Sequence, residues 1–187
     1  MLLDIPESFE SARLLICAAR PGDGAAVNEA VRESITELRP WMPWAQTVPT
    51  LEQSEASIRR SRVEYLERTD LRLLLFAKDT GMLVGSSGLH RIDWECRSFE
   101  IGYWARTSCT GQGYITEAVY AITDFAIHQL QANRIHIRCD ANNAASTHIA
   151  MKTGFTHEGT LRQDSLDHDG RLRDTLVFSK VRGVEFE

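Results

Sequence analysis

The stretch TSCTGQGYITEAV, residues 107 to 119, carries Gly111 and Gly113 around Gln112 and then turns helical in pattern. From Ile115 onward, apolar residues recur at Ala118, Val119, Ile122, Phe125 and Ala126, the spacing of one buried helix face. A helix start exposes unpaired N–H groups and roughly half an elementary positive charge. Glycines let an anion approach those groups closely, so the pattern suits a phosphate. A Walker A loop needs Gly-Lys-Ser/Thr, and no lysine lies between Lys78 and Lys152, so that reading fails. The dinucleotide fingerprint needs a third glycine, but Tyr114, Ile115 and Thr116 follow Gly113, and the fit is poor. The pyrophosphate of coenzyme A, held by consecutive backbone amides, needs neither a lysine nor a third glycine. A tight strand-to-helix turn with no ligand would use the same two glycines.

The elements that must position this loop can be read in chain order. Ala12 to Cys17 reads as a strand, and Arg20-Pro21-Gly22-Asp23 as the turn into a helix ending near Glu37, where LRPWMPW interrupts it. A polar helix over about 51–68 follows, with Thr50 as its N-cap. Apolar runs at 71–78 and 82–91, joined by Asp79-Thr80-Gly81, read as a hairpin, and 99–106 as a strand leading into the glycine loop. After the loop and its helix, RIHIRC (134–139) alternates like a strand. Asn143 then caps a short helix that Gly154 stops. Two last strands, near 155–162 and 172–181, flank Asp169-Gly170. The order β-α-α-β-β-β-α-β-α-β-β predicts one α/β domain over 1–187, its sheet mixed, with a right-handed strand–helix–strand crossover.

Composition narrows the function classes. The 187 residues, 43% apolar and 25% charged, suit a soluble globular chain with a full core. A net charge of −5 argues against direct nucleic-acid binding through a basic face and leaves room for a cationic substrate such as an amine. The opening MLLDIPESFESARLLICAAR, with Asp4, Glu7 and Glu10, does not read as a secretory or transit leader. No apolar run approaches the ~20 residues of a membrane span. Cys17, Cys96, Cys109 and Cys139 are scattered, which speaks against a metal site and a disulfide framework. The simplest reading is a cytoplasmic protein without a bound metal.

FEIGYWARTSCTGQGYITEAV (99–119) followed by NRIHIRCDANNAASTHIAMKTGFTHEGTLR (133–162) resembles the GNAT acetyltransferase superfamily, in its RimJ/RimL-like branch. The likeness runs from SARLLICAARPGD through LRPWMPW and MLVGSSGLHRID to the last strand. It implies a GNAT fold, with a twisted mixed sheet of about six to seven strands and about four helices. It also implies acetyl-CoA as donor and transfer to an amine, often a protein N-terminus. The family pattern Q/R-x-x-G-x-G/A falls on Thr110, Gly111, Gln112, Gly113, Tyr114 and Ile115. Gly113 matches it strictly, whereas Thr110 and Ile115 depart from it. The resemblance assigns pantetheine pairing to the backbone of Tyr103, Trp104 and Ala105 and a further pantetheine bond to Asn143. Ser146 then falls near the thioester sulfur.

Acetyl transfer needs a neutral amine, a stabilised oxyanion and a proton for the departing thiolate. A backbone N–H of the 103–105 strand suits the oxyanion, and Ser146 suits the thiolate. Glu100 is the candidate base, because relatives place a carboxylate on that strand; an ion-paired surface carboxylate is the alternative. The branch also places a carboxylate after EGTLR, where Ser165 stands between Asp164 and Asp167. His136, His148 and His157 read as surface. Trp41 and Trp44 suit the grip of a peptide or amine cation, equally the packing of the loop, and Asp164 adds acidity near the acceptor. The expected acceptor is a peptide or protein N-terminus, with room for a homodimer. A small-amine acetyltransferase and a non-catalytic acyl-CoA-binding module are the rival readings.

Overall fold

The computed structural model describes residues 4–187; Met1 to Leu3, part of the stretch examined for a leader, lie outside the described residues. The strands are β1 (Ser8–Glu10), β2 (Leu14–Ala18), β3 (Leu71–Ala77), β4 (Leu83–Asp93), β5 (Ser98–Ala105), β6 (Arg134–Asp140), β7 (Thr156–Leu166) and β8 (Leu172–Val181). The helices are α1 (Gly24–Leu38), α2 (Leu51–Glu67), α3 (Tyr114–His128) and α4 (Ala144–Lys152). Eight strands form one sheet in the order β1-β2-β3-β4-β5-β6-β8-β7. Pairing is antiparallel except between β5 and β6, which α3 connects.

The strand count exceeds the expected six to seven by β1, three residues with no alternating signal that follow Pro6. Tertiary packing defines it: Phe9 stacks on Phe125 of α3 with ring centroids 4.5 Å apart. β2 starts at Leu14, not Ala12, because Ser11 and Arg13 turn toward the loop before α3.

Alternation along the central strands splits the core between the two sheet faces. Leu71, Leu73 and Leu75 of β3 and Phe99 and Ile101 of β5 pack under α3 and α4. Leu74 and Trp104 pack under α1 and α2, with Val27, Leu38 and Ile58. Thr50 closes a full capping box with Gln53, a device that stabilises α2 by about 1 kcal/mol. The start of α1 has no side-chain cap of its own; Glu55 of α2 accepts N–H bonds from Gly22 and Gly24 instead. A side chain at position 24 would lie 2.6 Å from the Glu55 Cα, so the glycine permits the α1–α2 crossing.

Candidate active site

Strands β5 and β6 are hydrogen-bonded only through Ser98–Arg134, Phe99–Ile135 and Glu100–His136. Beyond Glu100 they part, while β5 stays paired to β4 as far as Ala105. The facing edge of β5 from Ile101 to Ala105 therefore has no strand partner, in the middle of the sheet rather than at its rim. An unpaired backbone edge in such a place needs a polar ligand or water.

At the end of β5 a single 3-10 turn, Thr107–Cys109, is fixed to α1. Arg106 bonds Glu29 and Glu33, Thr107 N–H donates to Ser34 Oγ, and Ser108 N–H donates to Glu33. Gly111 and Gly113 then take φ of 72° and 81°, in the left-handed region. Helix α3 has no side-chain cap, and its first helical bond runs from Glu117 N–H to Gly113 O. The N–H groups from Gly111 to Thr116 find no acceptor among the described residues. The side chains of Thr110 and Gln112 turn back onto Thr107 O and Ser108 O, so this loop offers backbone.

Arg13 clamps the loop, a role the sequence did not signal. Its Nη1 donates to Gln112 O at 3.0 Å, its Nε to Glu117 at 2.7 Å, and its guanidinium lies 4.5 Å from the Tyr114 ring centroid. Burial pushes the Glu117 carboxyl up, but bonds from Ser11 and Arg13 outweigh this and hold it below its ordinary value. The paired charge of Glu117 thus leaves the helix end receptive to an anion. Beside the loop, along α3 from Ser11 to Lys152 at the end of α4, runs an open groove of about 630 Å³ lined also by Gly113, Thr116, Glu117, Tyr120, Ala121 and Asp124.

On the α3/α4 face the parted strands meet the short helix. Asn143 caps α4 by accepting the Ser146 N–H at 3.0 Å. Ser146 Oγ lies 2.9 Å from Tyr103 Oη, which also donates to Ser146 O at 3.3 Å. Burial raises the Tyr103 phenol well above its ordinary value, so it stays a donor at any working pH. Asn143, Ser146 and Tyr103 are thus assembled at the gap, next to the buried Cys139, whose thiol burial also raises.

Alternation puts Glu100, Gly102 and Trp104 on the opposite, α1/α2 face. Burial pushes the Glu100 carboxyl up, yet His136, Arg91 and Arg138 hold it below its ordinary value. His136 is no surface residue: its side chain is 16% exposed, and its Nε2 lies 3.4 Å from Glu100 Oε2. Glu100 Oε2 and His136 Nδ1 are nonetheless buried without a hydrogen bond, a setting that favours a bound water or ligand group. Trp44, 52% exposed, stands edge-on to Trp104 at 6.0 Å between centroids. Trp41 is half-buried where the loop folds back on Leu38. Asp164 stands apart, held by Arg138 at 2.5 Å beside the bulge of β7. Among the described residues no group of three or more His, Cys, Asp or Glu is arranged to hold a metal, and no helix is long and apolar enough to cross a membrane.

Known proteins share this architecture. The ribosomal-protein-serine acetyltransferase of Escherichia coli (strain K12) is 28% identical over 146 residues, 78% of this chain and 80% of that one. The ribosomal L7/L12 α-N-protein acetyltransferase RimL, solved in complex with coenzyme A, superposes with a TM-score of 0.86 at 22% identity, covering 98% of this chain and 99% of that one. The microcin C7 self-immunity acetyltransferase MccE, solved with acetyl-CoA and AMP, gives 0.85 at 22% identity over 92% and 94% of the two chains. The acetyltransferase (GNAT) domain family matches residues 13–156, and this chain belongs to that family of acetyl-CoA-dependent N-acetyltransferases.

Proposed function

We propose that this acetyltransferase acts on the α-amine at a protein or peptide N-terminus, in the cytoplasm, through one catalytic domain spanning residues 1–187. The observation that carries the reading is the gap between β5 and β6, with different chemistry on its two faces. Amides of Thr110 to Ile115 would take the pyrophosphate, the free edge at Tyr103, Trp104 and Ala105 together with Asn143 the pantetheine, and the groove at Lys152 the nucleotide end. Ser146, held by Tyr103, would meet the sulfur and hydrogen-bond the thiolate as it leaves. From the other face the amine would enter past Trp41 and Trp44, drawn by the Glu100 carboxylate. Asp164 adds charge to that face through Arg138 rather than direct contact.

An α-amine with pKa about 7.7–8.0 is a few hundredfold more neutral at pH 7 than a lysine at about 10.4. A site whose carboxylate is held low gains most from that difference. The names of the RimL and E. coli relatives agree with this acceptor, while that of MccE, of equal likeness in fold, marks the reading as one about substrate rather than architecture. The long exposed edge strand β7 is compatible with a homodimer. Thiol release from acetyl-CoA, measured with free-N-terminal peptides, N-blocked lysine peptides and polyamines, tests the proposal; turnover confined to blocked lysine peptides or polyamines would overturn it.

A further inference from the structure

The α1/α2 face holds an ordered imidazole that neither the motifs nor the family match singles out. His90, on β4, is the cross-strand partner of Glu100. Its Nδ1 lies 2.7 Å from Asp70 Oδ2, just ahead of β3. In the neutral ring the carboxylate accepts the Nδ1 proton, and the Nε2 lone pair is then free. Nε2 has no hydrogen-bond partner among the described residues, and the side chain is 31% exposed.

Two facing glycines make room for this ring. Gly88 and Gly102 are paired across β4 and β5. A Cβ at Gly88 would lie 2.9 Å from His90 Cε1, and one at Gly102 would lie 3.0 Å from Cδ2 and 3.3 Å from Nε2. The imidazole therefore lies over both glycines with Nε2 toward β5, at the residue just before Tyr103 and just past the point where β5 and β6 part. Glu100 is the poorer proton acceptor, because its carboxyl is held low by neighbouring charges.

We propose that His90, oriented by Asp70, is the general base of acetyl transfer, a role that rests on the acetyltransferase reading but not on which amine is the acceptor. The amine lone pair forms the C–N bond to the thioester carbonyl carbon while the C=O electrons move onto oxygen. His90 Nε2 takes the proton that the nitrogen sheds. The oxygen electrons then return, the C–S bond breaks with its pair on sulfur, and the sulfur takes a proton from solvent as His90 gives its own back. One proton is lost and one gained.

The charged groups on the elements packed about His90 are Asp70, Arg72 of β3, Glu64 of α2, Glu100 of β5, and Arg91, which pairs with Glu100. The test uses the fastest acceptor from a panel of peptides and polyamines. His90→Ala and His90→Gln should lower kcat by about 100-fold or more and keep acetyl-CoA affinity by calorimetry. Nitrogen NMR of the wild type should show the proton on Nδ1, and Asp70→Asn should lower kcat by disturbing that tautomer. Variants with wild-type kcat, or a neutral ring carrying its proton on Nε2, would each overturn the proposal. A wild type that binds acetyl-CoA but turns over no amine would instead overturn the reading on which it rests, and the NMR result would still stand apart.

Discussion

Removing the Ser146 hydroxyl should separate its part in catalysis from its part in folding. Ser146→Ala leaves Asn143 Oδ1 its N–H bond, so α4 keeps its cap. It leaves the half-buried Tyr103 hydroxyl with only the weaker 3.3 Å bond to Ser146 O. Leaving a fully buried hydroxyl under-satisfied costs roughly 1–3 kcal/mol; partial exposure and the surviving bond put this case at or below the lower end, about 1 kcal/mol or less. Urea denaturation should report that loss. If Ser146 also hydrogen-bonds the leaving thiolate, kcat should fall by about 10-fold to 1000-fold while acetyl-CoA affinity changes little. Tyr103→Phe removes the group that orients Ser146 and should lower kcat less, about 10-fold. Because the two act as one unit, the double variant should be about as slow as Ser146→Ala alone. Thiol release under saturating acetyl-CoA, with calorimetry alongside, gives all three rates. A Ser146→Ala enzyme with wild-type kcat would reduce Ser146 to a residue in the first turn of α4. Strictly multiplicative effects would refute the coupling.

Gly113→Asp forces a side chain into a left-handed backbone at φ 81° and places a carboxylate at an anion site. Arg13 Nη2, 3.5 Å from the new Cβ, would offset only part of that charge, so calorimetric acetyl-CoA affinity should fall at least about 10-fold, and unchanged affinity in a folded variant would remove the loop from the donor site. Trp44→Ala should change stability by less than about 1 kcal/mol, because the side chain is half-exposed, yet raise KM for a peptide acceptor; an unchanged KM would assign Trp44 to packing against Trp104. Glu158 is held down to about 2, first by its bond from Arg134. A carboxylate so depressed stabilises the fold above its unfolded value near 4.3 and loses that contribution as pH falls toward 2. The two side chains are 33% and 38% exposed, so after solvent screening Glu158→Gln should cost about 1 kcal/mol at pH 7 and only a small remainder near pH 2, as read by denaturation at both pH values.

The strands and helices were legible because their apolar periods differ, as in the alternation of RIHIRC against the helical spacing from Ile115 to Ala126. Gly111 and Gly113 announced the loop because a left-handed backbone at a helix start leaves few other choices. The free edge at Tyr103 to Ala105 followed only from the family resemblance, since hydrophobic pattern reports which face is buried and says nothing about which edge is paired. His90 was hidden for a related reason. It lies in GLHRID, which reads as continuous strand, and although Asp79-Thr80-Gly81 reads as a hairpin, the register that sets Leu71 opposite Leu89, and so Asp70 near His90, depends on a bulge between Leu75 and Phe76 that the pattern does not show. His136 read as surface because its strand alternates, yet both faces of this sheet are covered by helices, so its outward positions are inward ones. Arg13 carried no signal, because its partners Gln112 and Glu117 lie about a hundred residues further along the chain.

Meeting of donor and acceptor through the gap beside Glu100, with an N-terminal α-amine as acceptor, is read by mass spectrometry of an equimolar mixture incubated with enzyme and acetyl-CoA. The mixture holds a free-N-terminal peptide, the same peptide N-blocked and bearing a lysine, and a polyamine. One acetyl group should be added to the first peptide, located at its α-nitrogen by fragmentation. Acetyl on the lysine or the polyamine, with the free N-terminus untouched, would contradict it.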